Sequence, residues 1–130
     1  MTSDLRALVD KGRRSLAAAR RDYGSSDYDL AVSRAYFAMF HLAVAALRTK
    51  GGGEYRRHAG VIAAFREQFV AQGVFSPELH VALNRAFTER TISDYRYERE
   101  VAAATARRIL DDAARFVDEV ETYLRRTDRT

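Results

Sequence analysis

Residues 33–41 read SRAYFAMFH, inside the longer run AVSRAYFAMFHLAVAAL at 31–47. The run contains no proline or glycine and is rich in alanine, the strongest helix former. Its apolar residues do not alternate as a strand's would. Tyr28, Val32, Tyr36, Met39, Ala43 and Leu47 fill one side of a helix, and Leu30, Phe37, Ala38 and Ala45 fill the other. A helix that is apolar nearly all round belongs at the centre of a helical bundle or at a subunit interface. Against that background Arg34 and His41 stand out. They are seven residues apart, close to two turns, so they point the same way. Asp27 and Arg48 extend the line in both directions at the same spacing. An unpaired buried charge costs several kcal/mol, on the order of 3–5. Arg34 is therefore expected to meet a carboxylate, a group of carbonyls, water or a ligand.

Outward from this helix the chain keeps the helical period. A first helix is expected from a cap at Thr2 or Ser3 to about Tyr23, with Leu5, Leu8, Val9, Gly12, Leu16 and Ala19 turned inward. Gly24 and Ser25 break it. Ser26 or Asp27 caps the central helix, which runs to about Lys50 and stops at the glycines 51–53. A third helix is expected over about Glu54 to Gln72, with His58, Ile62, Phe65 and Phe69 on one face. Ser76 followed by Pro77 signals the fourth, from there to about Thr91, with the stripe Leu79, Leu83, Ala86 and Arg90. The segment TISDYRYERE, 91–100, is weakly patterned. The last helix, about Glu100 to Arg126, turns Ile109, Ala113, Phe116, Val120 and Tyr123 or Leu124 inward. Short connections make these helices antiparallel neighbours, so the fold class is all-α, an up-and-down bundle of four to five helices in one domain, residues 1–130.

The totals bound the function. A chain of 130 residues, 47% hydrophobic and 31% charged, has ordinary globular composition. Cysteine is absent, which removes disulfides, thiolate metal sites and a cysteine nucleophile. No apolar run approaches the roughly 20 residues of a membrane span. The start, MTSDLRALVDKGRR, carries charge where a signal peptide needs an apolar block, so a cytoplasmic protein is expected. The net charge of +4, mostly from arginine, permits contact with nucleotides, RNA or an acidic partner, and equally describes a well-solvated surface.

Three histidines scattered over three helices make a weak metal case; no metal site and no cofactor is expected. KGGGEY, 50–55, lacks the ending of a phosphate loop and reads as a turn. What remains is a set of polar residues at the ends of inward stripes: Arg34 and His41 on the second helix, His58 opening the third, Arg90 closing the fourth, then Asp94 and Tyr95. They are expected to converge either as a closed salt-bridge knot or as a cleft for phosphate or RNA.

These same stretches resemble the small prokaryotic HEPN-domain proteins. AVSRAYFAMFHLAVAAL is similar to the signature of that family. HAGVIAAFREQFV at 58–70, RTISDYRYE at 90–98 and ARRILDDAARFVDEVETYL at 106–124 match its later blocks in order and spacing. The resemblance implies an all-α bundle, a homodimer, and a toxin–antitoxin setting with a small MNT-type nucleotidyltransferase as partner. It also implies metal-independent ribonuclease chemistry, built on an arginine followed after four to six residues by a histidine. Arg90 matches the arginine, but Tyr95, Arg96 and Tyr97 stand where the histidine would fall, and none occurs after His80. Tyrosine, with an ordinary pKa of about 10, is a weak general base at neutral pH but a good donor to a phosphate oxygen. Arg90, Asp94 and Tyr95 are thus the residues at the catalytic position, and Arg34, His41, His58 and Arg90 the candidate ligand contacts. The expected function is nucleotide or RNA binding with weak or absent cleavage. The alternatives are a silent protein-interaction module and a ribonuclease with an altered motif.

Overall fold

In the computed structural model residues 1–51, 55 and 57–127 are described. Among them lie α1 (Ser3–Gly24), α2 (Tyr28–Arg48), α3 (His58–Phe65) continued by a π-helical turn (Arg66–Val70), α4 (Pro77–Tyr95) and α5 (Ala103–Thr127). The all-α expectation holds, and α2 is the hub, packing against α1, α3, α4 and α5. Ion pairs report the directions. Asp4 at the start of α1 meets Arg48 at the end of α2, and Asp22 near the end of α1 meets Arg34 near the start of α2, so these helices are antiparallel. Arg85 and Glu78 of α4 reach Asp112 and Arg115 of α5 in the same antiparallel sense.

By length and composition α2 is apolar enough to cross a membrane, contrary to the run-length expectation. Here 61% of its most apolar window is buried within the fold, as a core helix requires. Tyr36, Met39, Leu42 and Leu47 are 0–1% exposed. They meet Leu16 of α1, Leu79 and Leu83 of α4, and Ile109, Phe116 and Leu124 of α5 in one continuous core. Each such side chain contributes about 1.5–3 kcal/mol by burial. Gly12 sets the spacing of α1 on α2, since a Cβ there would stand 2.2 Å from Leu42 Cδ2 and 3.1 Å from the Ala38 carbonyl oxygen.

The ends of the helices refine the expectations. Thr2 does cap α1, its hydroxyl accepting from the Leu5 amide at 3.2 Å. α1 ends at Gly24 with Ser25 at its C-cap, as expected, and Ser26 beyond them takes the left-handed conformation, φ 63°. Asp27 and Ser76 occupy the cap positions of α2 and α4 but make no side-chain cap bond. The helix expected from Glu54 begins at His58 among the described residues; Glu54 and the glycines 52 and 53 lie outside them. Its continuation winds into a π turn, with the Ala71 amide donating to the Arg66 carbonyl at 2.8 Å. That turn places Phe69 beside Phe65 and Phe75 in an aromatic knot. α4 runs four residues past Thr91 to Tyr95, so the weakly patterned segment starts as helix. α5 starts at Ala103, three residues later than expected, and Leu124 rather than Tyr123 is its fully buried terminal residue. Glu121, outside the inward stripe expected for the last helix, is nonetheless buried at 7% exposure and accepts hydrogen bonds from Arg13 Nε at 2.8 Å and from Arg125.

Candidate functional site

His58, at the first turn of α3, lies among rings supplied by two other helices. Phe40 stacks on it with centroids 4.4 Å apart, Phe37 meets it edge-on at 5.8 Å, and Phe87 of α4 lies at 6.2 Å. Tyr36 and Phe40 are one turn apart on α2, which is why both reach the same ring. The Tyr36 hydroxyl and His58 Nδ1 are 2.6 Å apart, hydrogen-bonded in either tautomer of the neutral imidazole. Burial first, then the Arg90 charge, lower the His58 pKa below the ordinary histidine value. Burial raises the Tyr36 phenol well above its ordinary value, with Arg90 opposing. Both groups are therefore uncharged at neutral pH.

Arg90 approaches this aromatic box from α4. Its guanidinium carbon sits 4.7 Å above the Phe37 ring and 5.7 Å from that of Tyr36, a cation–π arrangement. Its Nη2 lies 3.3 Å from Asp94 Oδ2, one turn on along the same helix. Its buried Nε has no hydrogen-bond acceptor among the described residues. The arginine is held by ring faces and one half-exposed carboxylate, leaving donors unspent. Phosphate oxygens match such a guanidinium fork. Of the residues expected to converge, His58 and Arg90 meet on the Tyr36 and Phe37 rings and Asp94 pairs with Arg90. It missed Tyr36, Phe40 and Phe87, whose signal was available: Tyr36 and Phe40 at i, i+4, and Phe87 at i, i+3 with Arg90.

Tyr95 is 84% exposed and Tyr97 92% exposed. Neither has a hydrogen bond or ring contact among the described residues. Arg99 ties the following turn back to α4, its Nη1 lying 3.2 Å from Glu89 Oε2 in ion-pair range but without hydrogen-bond geometry.

Arg34 and His41 form a second place, not the rear wall of the first. The polar line of α2 faces outward along its seam with α1. Arg34 is half-exposed and pairs with the mostly buried Asp22 at 3.3 Å, again without hydrogen-bond geometry at that oxygen. The expectation of a buried Arg34 is corrected accordingly: α2 has more circumference than α3, α4 and α5 cover, and α1 leaves this edge open. His41 is half-buried, and burial, then Lys11, lower its pKa. Both line an open groove of about 510 Å³ together with Lys11, Arg14, Ser15 and Phe37. Phe37 is the wall shared between the two places. Among the described residues no group of three or more histidine or acidic side chains is placed to hold a metal ion.

A helical bundle with an arginine seated on an aromatic box beside its central helix is the class that fold and site define. The comparisons with known proteins name the family. The family model of the HEPN domain matches residues 5–123, and the chain belongs to that family. It is 32% identical over 121 residues to a protein of Methanocaldococcus jannaschii named "Putative toxin", covering 93% of this chain and 82% of that one. A second protein of that name from the same organism is 31% identical over 122 residues, 94% of this chain and 90% of its own length. A UPF0332 protein of Thermotoga maritima is 34% identical over 94 residues, covering 72% and 70% of the two chains.

Proposed function

We propose that this chain is a toxin-like HEPN protein that binds the phosphates of a nucleotide or RNA through Arg90. It acts as a homodimer partnered by a small MNT-type nucleotidyltransferase. The observation that carries the ligand reading is the state of Arg90: a cation pressed on two aromatic faces, paired with the half-exposed carboxylate of Asp94, its buried Nε without an acceptor among the described residues. A phosphate group would supply acceptors in place of Asp94 while the rings keep the guanidinium fixed. His58 stays neutral beside it and contributes hydrogen bonding rather than charge. Half-buried Phe40 and Val44, one turn apart on α2, support self-association, since apolar and aromatic residues are favoured in interface cores. The resemblance and the relatives' names support the toxin-like setting.

The test incubates purified protein and its Arg90→Ala variant with labelled single-stranded RNA in the absence of metal. Wild type is expected to bind in a salt-sensitive manner and to cleave weakly or not at all; Arg90→Ala loses the binding. Robust cleavage abolished in Arg90→Ala would establish a ribonuclease with an altered motif instead. Absence of both cleavage and salt-sensitive binding would leave the protein-interaction role. Sedimentation at micromolar concentration should give twice the 14.7 kDa chain mass, and a monomer there would remove the dimer.

A further inference from the structure

We propose that the groove between α1 and α2 is a second subsite, a track for the phosphodiester backbone of single-stranded RNA that continues past Phe37 to Arg90; it rests on the reading of Arg90 as a phosphate contact. Three cations, Lys11, Arg14 and Arg34, line this groove of about 510 Å³, and no acidic side chain does. The partners of Arg14 and Arg34, Asp10 and Asp22, do not line it. Lys11 has no carboxylate partner among the described residues. Lys11 and Arg14 are neighbours across one turn of α1, facing Arg34 and His41 two turns apart on α2. The groove therefore carries cations along both walls rather than at a single point, which suits a chain of repeated charges better than one anion.

The choice of nucleic acid over an acidic peptide comes from the rings. Phe37 and His41 lie side by side, centroids 6.1 Å apart and planes 30° off parallel, at the groove wall. Aromatic faces beside a cationic track are how single strands are held without sequence preference, bases on the rings and phosphates on the cations. Phe37 also carries Arg90 above its ring at 4.7 Å, so a strand leaving the groove over Phe37 arrives at the Arg90 site. Ser15 adds a hydroxyl donor on the α1 side.

The experiment measures binding of a fluorescein-labelled ten-nucleotide oligouridylate by anisotropy over a range of salt. It compares wild type, Arg90→Ala, the groove variant Lys11→Gln/Arg14→Gln, and the charge-matched control Arg108→Gln/Arg126→Gln on α5. All four substituted groove and control positions are exposed, and melting checks that each variant is folded. The groove variant is expected to bind about tenfold or more weakly. Its slope of log K against log salt should fall by about 1.4, two contacts at about 0.7 each, while the control keeps the wild-type slope. Equal loss in the control would show diffuse attraction and overturn the track. A groove variant that binds as wild type while Arg90→Ala fails would also overturn it, leaving the Arg90 reading intact. Loss in the groove variant with Arg90→Ala unaffected would support the track and overturn the Arg90 reading. No salt-sensitive binding by wild type would overturn both. Unlabelled polyglutamate that displaces the oligomer as well as oligouridylate does would overturn the assignment to RNA.

Discussion

Replacing Gly12 by alanine tests the tightest contact in the bundle. Two effects of opposite sign compete. Alanine in a helix interior is favoured over glycine by about 1 kcal/mol. Against that, the new Cβ would stand 2.2 Å from Leu42 Cδ2, a separation real atoms do not adopt, and 3.1 Å from the Ala38 carbonyl oxygen. Leu42 is 0% exposed in a filled core, so its methyl cannot swing into solvent, and the carbonyl belongs to the α2 backbone. Either Leu42 leaves its rotamer or α1 moves off α2; such overpacking costs about 1–3 kcal/mol. The net expectation for Gly12→Ala is a loss of up to about 2 kcal/mol, a fall in Tm of up to about 10 °C for a domain of this size. Gly24→Ala is the control, because a Cβ there meets nothing within 4 Å and the residue ends α1 without positive φ. It should gain up to about 1 kcal/mol. Thermal and urea melting of both variants, with Leu42→Ala alone and combined with Gly12→Ala, complete the cycle. The double variant should lose less than the sum of the singles by at least about 1 kcal/mol, since removing the Leu42 methyls frees the space. Gly12→Ala melting at or above wild type, with additive behaviour in the double variant, would refute the close approach of α1 and α2.

Arg34→Ala should cost less than about 1 kcal/mol, because its ion pair with Asp22 is half-exposed; a loss near 3 kcal/mol would mean the pair is desolvated. Glu121→Ala should cost about 1–2 kcal/mol in denaturant melting, as α5 loses its ties to Arg13 and Arg125; a change within about 0.5 kcal/mol would mean Asp118 alone holds Arg13. Stability should also fall with acid in two stages. Burial, aided by Arg90, Lys11 and Arg66, lowers the pKa of His58, His41 and His80 in the fold, so below about 6.5 the unfolded chain takes up protons more readily and stability drops as pH falls toward the folded values. For Glu121 burial works upward, but the Arg13 and Arg125 hydrogen bonds outweigh it and hold the carboxyl below its ordinary value; its contribution is present above about 4.3 and is lost as pH falls through the folded pKa. Melting from pH 7.5 to 3 checks both stages, and a Tm that rises between 7.5 and 5.5 would contradict the first.

Local pattern and composition were enough for the helices, the hub role of α2 and the inward stripes. Val9, Leu16, Leu79, Leu83, Ile109 and Phe116 are all buried where their 3.6-residue period put them. That period is set by the backbone alone and needs no knowledge of neighbours. The convergence of His58 with Arg90 was also legible, because both stood at the ends of inward stripes. Cap chemistry was less so. Asp27 and Ser76 have the right residue type at the right place yet form no cap bond, since rotamer and backbone angle choose between several partners for a short polar side chain.

What the sequence by itself determined is which residues share a helix and which face of that helix they share. Only the tertiary structure decided which faces are covered. Arg34 and His41 lie on the inward-looking helix of the pattern, but the helices packed around α2 leave that edge open, so a buried seam became a surface groove. Glu121 lay outside the inward stripe of the last helix, but α1 packs there and brings Arg13, so its carboxylate is buried. In both cases the deciding quantity is how much of a helix's circumference its neighbours occupy. That depends on interhelical distance and crossing, which residues remote in the chain, such as Gly12 against Leu42, set together.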